Sequence, residues 1–221
     1  METSYSIPID AKYISTVVTK PAHSTSWSNY AVILTHGAGG DINVEDIKAI
    51  TDKLSHAGFI VVRFNSKTPN FQYRLKCFRT VVDFVRNEIP VRGCIVGGRS
   101  MGGRVAAELV TSDPDAGIFI LGVACISYPL HKPKQYTEQR ISHLIHLKMP
   151  VLMISGTDDQ MCRVDLMEKI IEKMNCDVKI HWIQSADHSL KIKGKIPENV
   201  LQDMCMWFLH WCQSVFMAER S

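Results

Sequence analysis

The chain has 221 residues, with 46% hydrophobic and 21% charged side chains and a formal net charge of +3. That is the make-up of one ordinary globular domain spanning 1–221 with a sizeable core. The slight positive charge gives no footing to a nucleic-acid partner, and the longest apolar run, AGIFILGVACI at 116–126, is too short to span a bilayer.

In chain order, YISTVV at 13–18 is β-branched and reads as an early edge strand, and the turn-rich PAHSTSWSN leads into a continuous apolar strand, YAVILTH at 30–36. GAGGD breaks that run. Val44, Ile47, Ile50 and Leu54 then recur near helical spacing, predicting a helix over 44–58 that Gly58 ends. FIVVRF at 59–64 is a strand, and the stripe Leu75, Phe78, Val82, Val85 predicts a helix over 72–89. GCIVGG is a short strand leading through Ser100 into a helix at 102–111, followed by a strand within 116–126. The irregular 127–149 holds Pro129, Pro133 and a short helix around Glu138–Leu147, and is the only stretch that could form a lid, a minimal one. PVLMISG at 150–156, a helix at 164–174, DVKIHWI at 177–183 and a last helix from Glu198 to Phe216 complete the series.

Continuous apolar strands alternating with amphipathic helices imply a mostly parallel central sheet with helices on both faces, an α/β architecture. In such sheets ligands bind beyond the carboxyl ends of the strands. Four such ends carry chemistry here. Gly98-Arg99-Ser100-Met101-Gly102 is a G-x-S-x-G sequence between a strand and a helix, where small flanking residues admit a serine in a strained turn. Glycines there also serve tight helix–strand packing, so the pattern alone is weak. THGAGGD at 35–41 puts flexible backbone where an oxyanion would form, with the N–H groups of Ala38 and Met101 as the candidate donors. SGTDDQ at 155–160 offers Asp158 and Asp159 to orient a histidine, and QSADHSLK at 184–191 offers His188 as a general base. His181 is a rival base, but it lies inside the strand KIHWI.

The order Ser100, Asp159, His188 is the Ser…Asp…His order of α/β-hydrolases. At LTHGAGGD (34–41), GGRSMGGR (97–104), CISYPLHKPKQ (125–135), SGTDDQMC (155–162) and KIHWIQSADHS (179–189) the chain resembles that superfamily, in its dienelactone-hydrolase-like branch. The resemblance covers most of the chain from about residue 30 onward. It implies a Ser100–His188–Asp159 triad, and it favours Asp159 over Asp158 because the superfamily's acid often stands in a G-x-x-D turn, here from Gly156. The reaction implied is hydrolysis of an ester, thioester or amide of a small acyl group through an acyl-enzyme, without cofactor or metal. Relatives that act as regulatory subunits keep a catalytically idle scaffold as the alternative.

Other features carry less. Seven scattered cysteines without a C-x-x-C pair, and no apolar leader, suggest free thiols in a reducing compartment, the cytoplasm or the nucleus. His143 and His146 sit three apart, yet no Cys or carboxylate nearby completes a convincing metal set. MCMWFLHWC at 204–212 is apolar nearly all round, which suits either the fold's last buried helix or a face for a protein partner or a second copy. Arg99, Arg104 and KIKGK at 191–195 are either solvated charges or a lure for a substrate carboxylate or phosphate.

Overall fold

The computed structural model describes residues 1–113, 115–136 and 140–219. Their strands form one eight-stranded sheet: β1 (Glu2–Ile9), β2 (Lys12–Thr19), β3 (Tyr30–Thr35), β4 (Ile60–Phe64), β5 (Gly93–Arg99), β6 (Ile120–Ile126), β7 (Val151–Gly156) and β8 (Val178–Ile183). Its spatial order is β1-β2-β4-β3-β5-β6-β7-β8. β3 to β8 run parallel, and β1 and β2 are added antiparallel at one edge. The helices are α1 (Glu45–His56), α2 (Phe71–Glu88), α3 (Met101–Thr111), α4 (Ser142–Ile145), α5 (Val164–Ile171) and α6 (Glu198–Glu219).

The period-2 alternation of a strand decides which core each residue enters. In β3, Ala31 and Ile33 join the side that carries α2 and α3, whereas Tyr30, Val32 and Leu34 join the side that carries α1 and α6. β7 repeats this, with Val151 and Met153 on the first side and Leu152 and Ile154 on the second. Both faces are covered, which is why these strands are apolar throughout. The apolar residues of α6, among them Met204, Phe208, Trp211 and Phe216, are spent on the sheet. Gly122 in β6 makes room for the Trp211 ring, since a Cβ there would stand 3.1 Å from it. All seven cysteines are free, and burial pushes the Cys125 and Cys162 thiols up to about 12.

Several boundaries differ from the sequence reading. The strand expected at 13–18 is not an edge: β1 pairs with it in register from Glu2↔Thr19 to Ile9↔Lys12, and β4 takes its other side. β1 escapes a hydrophobic reading because its outer positions are polar and Pro8 breaks its profile, both of which an edge strand tolerates. The strand expected at 117–126 begins at Ile120, after a 3₁₀ turn over Ala116–Ile118. Of the helix expected at 138–147, the turn Ser142–Ile145 is formed, while Glu138 and Gln139 lie outside the described residues.

Candidate active site

β5 ends at Arg99 and α3 begins at Met101, leaving Ser100 alone at the junction with φ 51° and ψ −115°. A non-glycine residue in such a conformation costs on the order of 1–3 kcal/mol, so its surroundings must hold it there. The Ser100 N–H is tied to the Ile126 carbonyl at 2.8 Å. The flanking glycines let the turn approach β3: a Cβ on Gly98 would stand 2.4 Å from the Thr35 carbonyl oxygen, and one on Gly102 would stand 2.6 Å from it. Met101 is the first residue of α3, so its N–H has no acceptor within the helix and belongs to the positive end of the helix dipole.

The Ser100 Oγ lies 2.9 Å from His188 Nε2, and His188 Nδ1 lies 2.8 Å from Asp159 Oδ2. A carboxylate acceptor at Nδ1 places the proton there in the neutral ring, leaving Nε2 to accept from the serine hydroxyl. The Asp159 side chain is fully buried, and its second oxygen accepts the Met161 N–H at 2.7 Å, which fixes the carboxylate plane. Asp158 faces solvent. His181 stays within β8, stacked on Trp207 at 4.3 Å between ring centroids. The loops bearing Asp159 and His188 are fastened to each other: the Asp158 N–H donates to the Ala186 carbonyl at 3.0 Å, and the Ser185 N–H to the Thr157 hydroxyl at 2.8 Å. Gly156 permits this contact, since a Cβ there would lie 2.0 Å from the Ala186 oxygen.

Ala38 lies on the loop after β3, and that loop is braced from below. Arg74 of α2, buried, donates to the His36 carbonyl at 3.0 Å and the Gly37 carbonyl at 3.1 Å. The His36 ring accepts the Ser66 N–H through Nε2 at 2.9 Å, so its Nδ1–H donates to the Gly37 carbonyl at 2.6 Å. Burial pushes the His36 pKa down, in keeping with this neutral tautomer, although the Gly37 carbonyl pulls the other way. Below Ser100, Arg99 donates to the His188 carbonyl at 3.1 Å and pairs with buried Asp46. Arg74 and Asp46 were not legible as site residues, because each acts across 25 or more residues of chain.

A cleft of about 580 Å³ opens over these groups, lined by Ala38, Ser100, Met101, Arg104, Arg140 and His188 among others. The segment after β6 stays close to the protein: Tyr128, Leu130 and His131 are buried, and the His131 N–H donates to the Met161 carbonyl at 3.1 Å. Among the described residues no three His, Cys, Asp or Glu side chains gather as a metal site. His143 instead meets Glu108, and His146 bonds the Ser142 carbonyl at 2.7 Å. Among the described residues no helix is long and apolar enough to cross a membrane.

Residues 28–213 match the family described as "Alpha/beta hydrolase domain". Among solved structures, Est1E from Butyrivibrio proteoclasticus is similar, with TM-score 0.79 and 14% identity over 97% of this chain and 99% of that one. A serine hydrolase without a lid from Xanthomonas campestris superposes with TM-score 0.73 and 16% identity, covering 95% of this chain and 92% of its own. The dienelactone hydrolase of Anabaena variabilis gives TM-score 0.73 and 18% identity, covering 95% and 97%. At these identities the likeness is one of fold.

Proposed function

The chain belongs to the α/β-hydrolase domain family, and on that premise we propose that it is a serine hydrolase that cleaves an ester, thioester or amide bond through Ser100, His188 and Asp159. The observation that carries the reading is the continuous hydrogen-bonded chain from Ser100 Oγ through the His188 ring to buried Asp159.

In this mechanism His188 Nε2 takes the Ser100 proton as Oγ attacks the acyl carbon. Asp159 holds the ring by Nδ1–H and stabilises the imidazolium that forms. The N–H groups of Met101 and Ala38 receive the negative charge that develops on the carbonyl oxygen. His188 then gives its proton to the leaving group, which departs from an acyl-Ser100 ester. A water deprotonated by the same nitrogen hydrolyses that ester and returns the enzyme. The substrate expected is a small acyl compound, since the cleft measures about 580 Å³ and His131, in the segment after β6, is hydrogen-bonded to the Met161 carbonyl.

Labelling with a fluorophosphonate probe tests this reading, with wild type compared against Ser100→Ala and His188→Ala after each is checked for folding. Labelling of wild type alone is expected. A folded wild type that stays unlabelled across several probe sizes overturns the reading and leaves an idle scaffold.

A further inference from the structure

Three guanidinium groups reach the cleft, and their partners differ. Arg99 is engaged by Asp46 and by the His188 carbonyl. Arg104 and Arg140 line the same cleft as Ser100, yet among the described residues neither forms an ion pair with a carboxylate. Arg104 lies one helical turn beyond Ser100, its N–H on the Ser100 carbonyl at 3.2 Å, so helical periodicity puts both side chains on one face of α3. Its guanidinium sits 4.8 Å from the centre of the Phe71 ring, and its Nε is buried without a hydrogen-bond partner. Glu108, whose charge reaches Arg104, makes its own ion pair with His143. Arg140 is fixed by its main chain, its N–H bonding the Leu130 carbonyl at 2.7 Å, and among the described residues its side chain hydrogen-bonds the Pro129 carbonyl alone, at 3.4 Å.

Two like charges held near each other and half out of water are costly unless an anion joins them. The strain is visible in Arg104, whose pKa is pushed down first by burial and then by Arg140. The forked donors of arginine suit the paired oxygens of a carboxylate or phosphate. Beyond His188, exposed Lys193 and Lys195 stand in a tight hairpin closed by the Ile192–Lys195 pairing, adding positive charge to the segment that follows the His188 loop.

We propose that Arg104 and Arg140 form an anion subsite beside Ser100, so that the preferred substrate is an ester or thioester carrying a carboxylate or phosphate oxyanion a short distance from the bond that breaks. This rests on the hydrolase reading above. Ser100 and His188 do the chemistry, and the two arginines select and orient the substrate.

The test compares paired probes of equal length. Mono(4-nitrophenyl) glutarate against 4-nitrophenyl pentanoate reads an anion on the acyl side, and 4-acetoxybenzoate against 4-acetoxybenzamide reads one on the leaving side. In wild type at least one anionic probe is expected to be favoured in kcat/KM by about tenfold or more, the scale of a charge-assisted hydrogen bond. That ratio should collapse toward one in Arg104→Gln and Arg140→Gln, and it should shrink as salt rises. Inhibition by glutarate against methyl phosphate at matched ionic strength tells carboxylate from phosphate. A merely structural arginine lowers both members of a pair together and leaves the ratio alone. Calorimetry with the Ser100→Ala protein, using monomethyl glutarate against methyl pentanoate, reads the subsite without turnover. If turnover proceeds with equal preference, the subsite is refuted and the hydrolase stands. If nothing is turned over and fluorophosphonates leave the folded wild type unlabelled, but monomethyl glutarate binds selectively and Arg104→Gln abolishes it, the subsite stands and the hydrolase reading fails. Absence of both the preference and the selective binding overturns the subsite.

Discussion

Asp46 Oδ2 and Arg99 Nε lie 3.2 Å apart, and the same guanidinium donates to the main-chain oxygen of His188. Asp46 stands in the first turn of α1 and Arg99 closes β5, so this pair connects two elements to the loop that carries the proposed base. Arg99→Gln strands a buried carboxylate and should cost about 3–5 kcal/mol in urea unfolding. Arg99→Lys retains the charge but cannot reach both partners with one rigid fork. It should fold and turn over substrate at least about tenfold more slowly, because a small misplacement of a catalytic group is costly. Equal turnover by a folded Arg99→Lys protein would show that His188 needs no such strut.

The same pair makes a statement about pH. Burial pushes the Asp46 pKa up from its ordinary 3.8, and Arg99 offsets this only in part. With the folded value raised, the folded state binds the proton more tightly than the unfolded chain does. The stabilisation from this group is therefore complete below 3.8 and is lost as pH rises through the folded value. Asp46→Asn cannot titrate there. Its stability relative to wild type should improve as pH is raised from about 4 toward neutrality. Denaturant midpoints for both proteins across that range check the sign, and an opposite slope would mean that Arg99 outweighs burial.

Asp159→Asn keeps the size of the side chain and removes the acceptor that holds His188 Nδ1–H. The ring is then free to take the wrong tautomer, and kcat should fall by about 10⁴-fold with folding retained. Pre-steady-state labelling by a fluorophosphonate should slow in parallel. Asp158→Asn, at a solvent-facing position, should change neither reading appreciably.

The glycines near the elbow are not equivalent. Gly98→Ala would bring a Cβ within 2.4 Å of the Thr35 carbonyl, and the backbone on both sides would have to yield. A loss of about 1–3 kcal/mol or more is expected, as for other overpacked sites. Nothing lies within 4 Å of a Cβ at Gly39, so the same substitution there should stay within about 0.5 kcal/mol of wild type. Thermal unfolding of the two variants side by side decides the contrast.

The parts of this architecture that repeat a period were legible from the spacing of apolar residues alone. β3, β5 and β7 are apolar on both faces, and α1 and α2 carry clean stripes, so their positions emerged within a residue or two. Ser100 and His188 could be named because each follows a strand end, whereas the end of β7 offered Asp158 and Asp159 alike and the superfamily resemblance favoured Asp159; the structure brings Ser100, His188 and Asp159 within hydrogen-bond reach. What stayed hidden depends on distance through the chain. β1 looks like a polar leader until β2 is there to pair with it. Buried Arg63 reads as an exception in an apolar strand until Glu2 of β1 meets it. Arg74, among the polar residues of α2, gives no sign that its guanidinium holds the loop after β3.

The loops after β7 and β8 share the Gly156–Ala186 contact and two cross hydrogen bonds. Neither can therefore open by itself. Under mild heat or denaturant they should leave the native arrangement as a single cooperative unit, with the amide protons at Asp158 and Ser185 reporting one common opening free energy. Inactivation would then precede global melting and arrive as one step, because separating the two loops parts the acid from its histidine in the same event.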